Sequence, residues 1–103
     1  MLAEDVKAII ANEIKSESNL KNVYGLDLTT CIIEPIKQKY QDTRDANKLE
    51  ELWTVLEETP DGNGYKICYD EESKTFGLGI KSDNGVLINI GYYGTFLESL
   101  YAM

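Results

Sequence analysis

The residue types that could carry chemistry in this 103-residue chain are carboxylates, tyrosines, lysines and two cysteines, because the sequence contains no histidine. Histidine is the commonest general base near neutral pH and the commonest metal ligand, so its absence removes the usual catalytic triads. The remaining groups follow no recognisable catalytic spacing. We therefore predict that the protein is not an enzyme and that it holds no cofactor and no metal.

One segment approaches a metal-binding motif without completing it. Asp61, Asn63 and Glu72 occupy the first, third and last positions of a calcium-loop template. Tyr65 stands where a further Asp or Asn belongs, and Lys66 replaces the glycine that the sharp turn needs. A hairpin turn explains this segment without an ion, so no calcium site is predicted.

The two cysteines, Cys31 and Cys68, do not form a C-x-x-C pair. Each lies among apolar or β-branched residues, which favours two reduced and partly buried thiols. A disulfide between them stays open as an alternative, because the sequence does not show how far apart they lie in space.

The negative charge is concentrated in the second half of the chain. Residues 50–103 contain ten acidic residues against three lysines, whereas residues 1–49 contain eight acidic and seven basic residues. A field of one sign attracts basic proteins and repels nucleic acid. We therefore predict a basic protein partner and no nucleic acid, although solubility and protection of sheet edges explain part of the excess without a partner.

Two groups of residues in this acidic half are candidates for contact with such a partner. One group is acidic and lies in the predicted turns and strand ends. The other is a pair of tyrosines between glycines, and tyrosine is frequent at binding surfaces because it combines a large area with a polar end. The tyrosines would equally well close one end of a core. The candidates are Glu57, Glu58, Asp70, Glu71, Glu72, Tyr92 and Tyr93.

Two glycines, Gly77 and Gly79, lie on the strand face opposite Phe76, Leu78 and Ile80. Bare backbone on one face indicates close approach by another group. One interpretation is a shallow groove for a partner or ligand. The other, which we favour, is that one of the predicted helices lies across the glycines.

A helix is predicted at each end of the chain. Apolar residues recur at helical spacing over residues 2–17, which predicts an amphipathic helix. At the other end, Thr95 begins a short helix and Glu98 completes a capping box. So short a helix is unstable alone and must pack on the sheet.

The residues between the helices predict strands. Pro35 makes residues 26–41 ambiguous between an irregular outer strand, which we favour, and a short helix that begins at the proline. Residues 49–58 also fit both patterns, and the turn residues that follow favour a hairpin strand. The segment from Gln41 to Lys48 is predicted to be a loop.

Three further strands alternate clearly, at residues 65–70, 75–81 and 86–90. Asn84-Gly85 predicts a two-residue type I′ turn between the last two, because both positions of that turn need positive φ. The fold class predicted is a single α+β domain over residues 1–103, with an antiparallel meander of four to five strands and the C-terminal helix packed on it. Because we find no membrane-spanning run and no signal peptide, we expect a cytoplasmic location.

The stretch from Leu52 to Met103 resembles a group of small bacterial proteins, mostly uncharacterised, that look like the products of immunity or bystander genes of secreted toxin systems. The matching segments are Leu52 to Glu58, Gly64 to Ile67, Tyr69 to Glu72, Phe76 to Gly79, and Gly91 to Glu98. The resemblance brings no catalytic residue. It implies a binding protein that neutralises a toxin by occupying it.

Two alternative functions follow from other features of the sequence. An exposed edge strand could pair two copies, which would make the protein a structural or homodimeric module. The Tyr92–Tyr93 region and the glycine face could instead hold a small ligand.

Overall fold

A computed structural model of the chain describes residues 2–15, 28–43, 45–59 and 61–103, except for the side chains at positions 28, 29 and 46. Within these residues, the predicted α+β arrangement is confirmed, with an N-terminal helix, a short C-terminal helix and five strands where four to five were predicted. Positions 16, 17, 26 and 27 of the predicted elements lie outside the described residues. The elements are α1 (Ala3–Ile14), a 3₁₀ turn (Leu28–Cys31), β1 (Ile32–Asp42), β2 (Asp45–Glu57), β3 (Lys66–Asp70), β4 (Thr75–Lys81), β5 (Leu87–Gly94) and α2 (Phe96–Ala102).

The five strands close into a barrel in the order β1-β2-β3-β4-β5. Consecutive strands pair antiparallel, as the meander prediction requires. Closure comes from a short parallel pairing of β1 with β5, in which Gln41 and Asp42 face Ile88 and Asn89. This pairing could not be predicted from the sequence, because two parallel positions leave no periodic signal in either strand.

The first hairpin is longer than predicted. Residues 41–48 were predicted to be a loop, but β1 continues to Asp42 and β2 already begins at Asp45. Polar residues persist in these strands because cross-strand hydrogen bonds, rather than alternating apolar side chains, hold this end of the hairpin. Pro35 is tolerated within β1 because it lies at an irregularity in the pairing between Ile32 and Ile36, where its missing N–H removes no ladder bond.

The turn between β4 and β5 also differs from the prediction. Gly85 has φ of +85°, but Asn84 does not have the positive φ that a type I′ turn requires. The Gly85 N–H donates to the Ser82 carbonyl at 2.9 Å, and the Ser82 N–H donates to the Val86 carbonyl at 2.8 Å. This is the pattern of a three-residue loop in which a type I turn is followed by a left-handed glycine.

The outer face of the sheet forms the main apolar core together with the two helices. Its members are Val6, Ile10, Trp53, Val55, Leu56, Ile67, Tyr69, Phe76, Leu78, Phe96 and Leu100. The Phe76 and Phe96 rings pack edge to face with centroids 5.7 Å apart. The prediction that the C-terminal helix packs on the sheet is therefore confirmed.

The C-terminal helix is held at its first turn by two sets of hydrogen bonds. The predicted capping box is present, since the Glu98 N–H donates to Thr95 Oγ1 at 3.1 Å and the Thr95 N–H donates to Glu98 Oε1 at 3.2 Å. In addition, the Glu13 carboxylate of α1 accepts the N–H groups of Phe96 and Leu97 at 3.1 and 3.2 Å. Glu13 thus ties the two helices together.

The glycines of β4 do not lie under a helix, and the favoured interpretation of Gly77 and Gly79 is wrong. A β-carbon on Gly79 would lie 2.7 Å from the ring of Tyr40, and one on Gly77 would lie 2.4 Å from the Gly91 carbonyl oxygen. Tyr40, Leu52 and Cys68 form a second, smaller cluster on this inner face. The glycines therefore admit a tyrosine ring and a neighbouring strand inside a narrow barrel.

Candidate functional site

Eight charged side chains line an open cleft of about 670 Å³, which we name the acidic cleft. It lies where β2 projects past β3, because β2 begins at Asp45 but pairs with β3 only from Trp53 onward. The turn between β3 and β4 forms the opposite wall. The lining residues are Lys37 and Lys39 of β1, Lys48, Leu49, Glu50 and Glu51 of β2, and Asp70, Glu71 and Glu72 beside the turn.

Two ion pairs neutralise part of the acidic cleft. Lys37 Nζ lies 2.5 Å from Glu71 Oε1, and Lys48 Nζ lies 3.6 Å from Glu50 Oε1. The hydrogen bond to Glu71 raises the pKa of Lys37, and the same bond lowers the pKa of Glu71. Lys37 also lies over the Trp53 ring at 5.5 Å from its centroid, so its stem covers the edge of the outer core.

Asp70 stabilises the turn between β3 and β4. Its carboxylate accepts the N–H of Glu72 and the hydroxyl of Ser73, both at 3.0 Å. An aspartate that holds its own backbone in this way is typical of tight turns. Asp70 thus contributes negative charge to the cleft and also positions Glu72 beside it.

Three carboxylates of the acidic cleft, Glu51, Asp70 and Glu72, have no ion-pair partner among the described residues, and Asp70 is engaged by its own turn. In the described part of the chain, Glu51 and Glu72 form no ion pair within 4 Å, and both are exposed. Lys39 faces Glu51 in the register of β1 and β2, and it too is exposed. With five carboxylates against three lysines, the cleft keeps a negative excess, and Leu49 adds an apolar side chain that is 60% exposed.

The tyrosine pair is divided between the two faces of β5. The Tyr92 hydroxyl donates to Glu50 Oε2 at 2.9 Å, so this ring reaches a carboxylate that also lines the acidic cleft. Burial, together with the Glu50 carboxylate, raises the pKa of Tyr92 and keeps its proton in place. Tyr93 points to the other side and is 42% exposed.

Glu57 and Glu58 lie away from the acidic cleft. Glu57 faces Lys66 at the start of β3, whereas Asp70 ends that strand, so about 13 Å of strand separates the two groups of acids. Glu57 Oε1 is 3.0 Å from Lys66 Nζ, and Glu58 Oε1 accepts the N–H of Tyr65 at 3.3 Å. The structure therefore brings together Asp70, Glu71 and Glu72 of the predicted residues, with Tyr92 behind them.

The sequence reasoning missed the contribution of β1 and of the start of β2 to the cleft. The predicted candidates did not include the residues that these strands contribute, which are Lys37, Lys39, Lys48, Glu50 and Glu51. The signal that could have found them is the run of charged residues just before Leu52, which adjoins a predicted strand.

Other kinds of site can be judged only for the described residues. There, no group of three or more Cys, Asp and Glu side chains could hold a metal ion. Both cysteines are unbridged thiols. No helix among those residues has the length and apolar character needed to cross a membrane.

Comparisons with protein-family models, with curated proteins and with solved structures found no match for this chain. The resemblance of residues 52–103 to immunity proteins therefore stays a prediction.

Proposed function

We propose that this protein is a non-enzymatic binding protein that occupies a basic protein partner, in the manner of an immunity protein of a toxin system. The observation that carries the proposal is the acidic cleft, where carboxylates from β2 and the β3–β4 turn converge and where Glu51 and Glu72 have no ion-pair partner among the described residues. An arrangement of this kind speeds encounter with a positively charged surface.

The neighbourhood of these two carboxylates also suits a protein partner. Leu49 offers an exposed apolar contact at the rim of the cleft, and interfaces commonly combine an apolar contact with a polar surround. The three lysines of the cleft would select against a uniformly basic peptide and favour a partner whose surface also presents an acidic or polar group opposite them.

The two alternatives have less support. The glycine surface that a small ligand would use is filled by the Tyr40 ring and the Gly91 carbonyl. For a homodimer, the parallel pairing of β1 with β5 occupies part of the edge that a second copy would need.

The test compares two double variants that lose the same charge in different places. Glu51→Gln with Glu72→Gln neutralises the acidic cleft, and Glu4→Gln with Asp83→Asn neutralises exposed acids elsewhere. Each tagged protein is used to capture partners from the native cell at low salt. We expect the wild type and the second variant to recover the same basic protein and the cleft variant to lose most of it.

The recovered partner then allows a kinetic check. We expect its association rate to fall roughly tenfold or more as salt is raised, because electrostatic steering is screened. A rate that does not change with salt, or equal losses of binding in both double variants, would contradict the proposal.

A further inference from the structure

A second recess, separate from the acidic cleft, lies at the end of the barrel beside the turn between β2 and β3. We name it the barrel mouth. Its volume is about 310 Å³, and the side chains that matter in it are Gln38, Glu57, Asp61, Lys66, Lys81 and Leu87. Three of these, the amide and the two lysines, are hydrogen-bond donors that approach the same space.

The orientation of the Gln38 amide is set by a chain of buried hydroxyls. The Tyr40 hydroxyl lies 2.5 Å from Thr54 Oγ1, and Thr54 Oγ1 lies 2.6 Å from Gln38 Oε1. Tyr40 and Thr54 are fully buried. Because Thr54 is the one partner described for the Tyr40 hydroxyl, Tyr40 must donate to it, and Thr54 must then donate onward to the Gln38 carbonyl oxygen. Gln38 lines the barrel mouth, and its amide N–H groups have no partner among the described residues.

The two lysines converge from neighbouring strands. Lys66 Nζ and Lys81 Nζ lie 3.4 and 3.5 Å from the position that a β-carbon would take on Gly62. Gly62 has φ of +77° and no side chain, so the space between the ammonium groups stays open. Two like charges held this close to one point require negative charge nearby.

The carboxylates of the barrel mouth do not accept all the N–H groups that Lys66 and Lys81 offer. The Lys66 side chain is only 3% exposed, and Glu57 is its one ion-pair partner in the described part of the chain, at 3.0 Å. A single carboxylate oxygen accepts one of the three N–H groups of that ammonium. Asp61 accepts hydrogen bonds from the Thr59 hydroxyl at 2.6 Å and from the Asn63 N–H at 3.0 Å. Both bonds stabilise the turn that contains Asp61, so this carboxylate is not dedicated to Lys81.

We propose that the barrel mouth binds one small oxyanion of the carboxylate or phosphate class, held by the Lys66 and Lys81 ammonium groups and the Gln38 amide. Charge-assisted hydrogen bonds from two lysines and an amide suit the oxygens of such an anion. Glu57 and Asp61 balance the lysines and limit the affinity. The site is independent of the acidic cleft and of the function proposed for it.

The experiment is an NMR titration of the whole chain with inorganic phosphate and, in a second arm, with acetate, at constant ionic strength. We expect saturable shifts of the Gln38 side-chain amide and of the Gly62 backbone amide, with a Kd of about 1–10 mM. The arm that saturates at lower concentration identifies the preferred anion. If neither anion produces saturable shifts at these groups by about 50 mM, the proposal is overturned.

Three variants make the test specific. Lys81→Gln should weaken binding roughly tenfold, because it removes one charged donor. Gln38→Glu keeps the acceptor for Thr54 but replaces the amide donors with a negative charge, and it should abolish binding. Lys74→Gln removes an exposed lysine outside the mouth and should leave the Kd unchanged. Equal Kd values for Lys81→Gln and Lys74→Gln would also overturn the proposal.

Discussion

The two faces of the barrel sheet are stabilised in different ways. The outer face packs against α1 and α2 through a continuous apolar layer. The inner face has a small apolar cluster around Tyr40, and its buried hydroxyls are joined in a hydrogen-bonded chain to Gln38. Apolar burial is roughly additive in area, whereas a polar network depends on every member being satisfied.

The outer layer differs from the inner face because two of its buried polar atoms are not hydrogen-bonded. Trp53 Nε1 and Ser99 Oγ are buried and have no hydrogen-bond partner among the described residues. Each unpaired buried group costs free energy, so the apolar contacts around it must offset that cost. The comparison suggests that the outer layer supplies most of the stability and that the inner face sets the geometry of the barrel mouth.

The largest effect should therefore come from the outer layer. Leu100 of α2 is 3% exposed, and Leu100→Ala should lower the free energy of unfolding by about 3 kcal/mol, because it leaves a cavity between helix and sheet. Leu2→Ala is the matched control, because Leu2 is 67% exposed. This substitution should lower the free energy of unfolding by less than about 0.5 kcal/mol. Urea unfolding of both variants measures the difference. Similar losses in the two would mean that α2 is not part of the stabilising layer.

A smaller effect is expected inside the barrel. Tyr40→Phe keeps the ring against Gly79 but removes the hydroxyl that donates to Thr54. We expect it to lower the free energy of unfolding by about 1–2 kcal/mol. Tyr93→Phe, at a site that is 42% exposed, is the control and should change it little.

The same variant should alter how stability depends on alkaline pH. Burial raises the pKa of Tyr40, and it raises the pKa of the Cys68 thiol to about 12. The folded state thus prefers both groups protonated, so stability is fully present below about pH 9, the ordinary thiol value, and is lost as the pH rises toward 12. Tyr40→Phe removes the contribution of the tyrosine to this loss, so the free energy of unfolding of the variant should fall less steeply with rising pH. An unchanged slope would show that Tyr40 does not titrate through unfolding.

The sequence predicted the outer face better than the inner one, for a physical reason. Alternation along β3 and β4 reports which residues share a face, and the capping box at Thr95 is a local motif, so both could be predicted. Closure through Gln41 and Ile88 depends on the shear of the whole barrel, which no local pattern encodes.

The acidic cleft shows the same limit. Glu71 and Glu72 could be predicted because a charged turn between two clear strands is a local feature. Glu51 was missed because its place beside that turn depends on how far β2 projects past β3. Charge composition gives the sign of the excess charge, but only the register of the strands shows which carboxylates share one surface.

The smallest effect that we predict concerns the link between the helices. Glu13 accepts two backbone N–H groups at the start of α2, where the helix dipole also favours a negative charge. Glu13→Gln keeps one acceptor oxygen and removes the charge, and it should lower the free energy of unfolding by about 0.5–1 kcal/mol. Glu72→Gln makes the same change at an exposed side chain that has no ion pair in the described part of the chain, and it should have little effect on stability. If the two variants unfold at the same urea concentration, the apolar layer alone holds α2 on the sheet. If Glu13→Gln unfolds at a lower urea concentration, the outer layer also depends on one polar contact that the sequence pattern does not reveal.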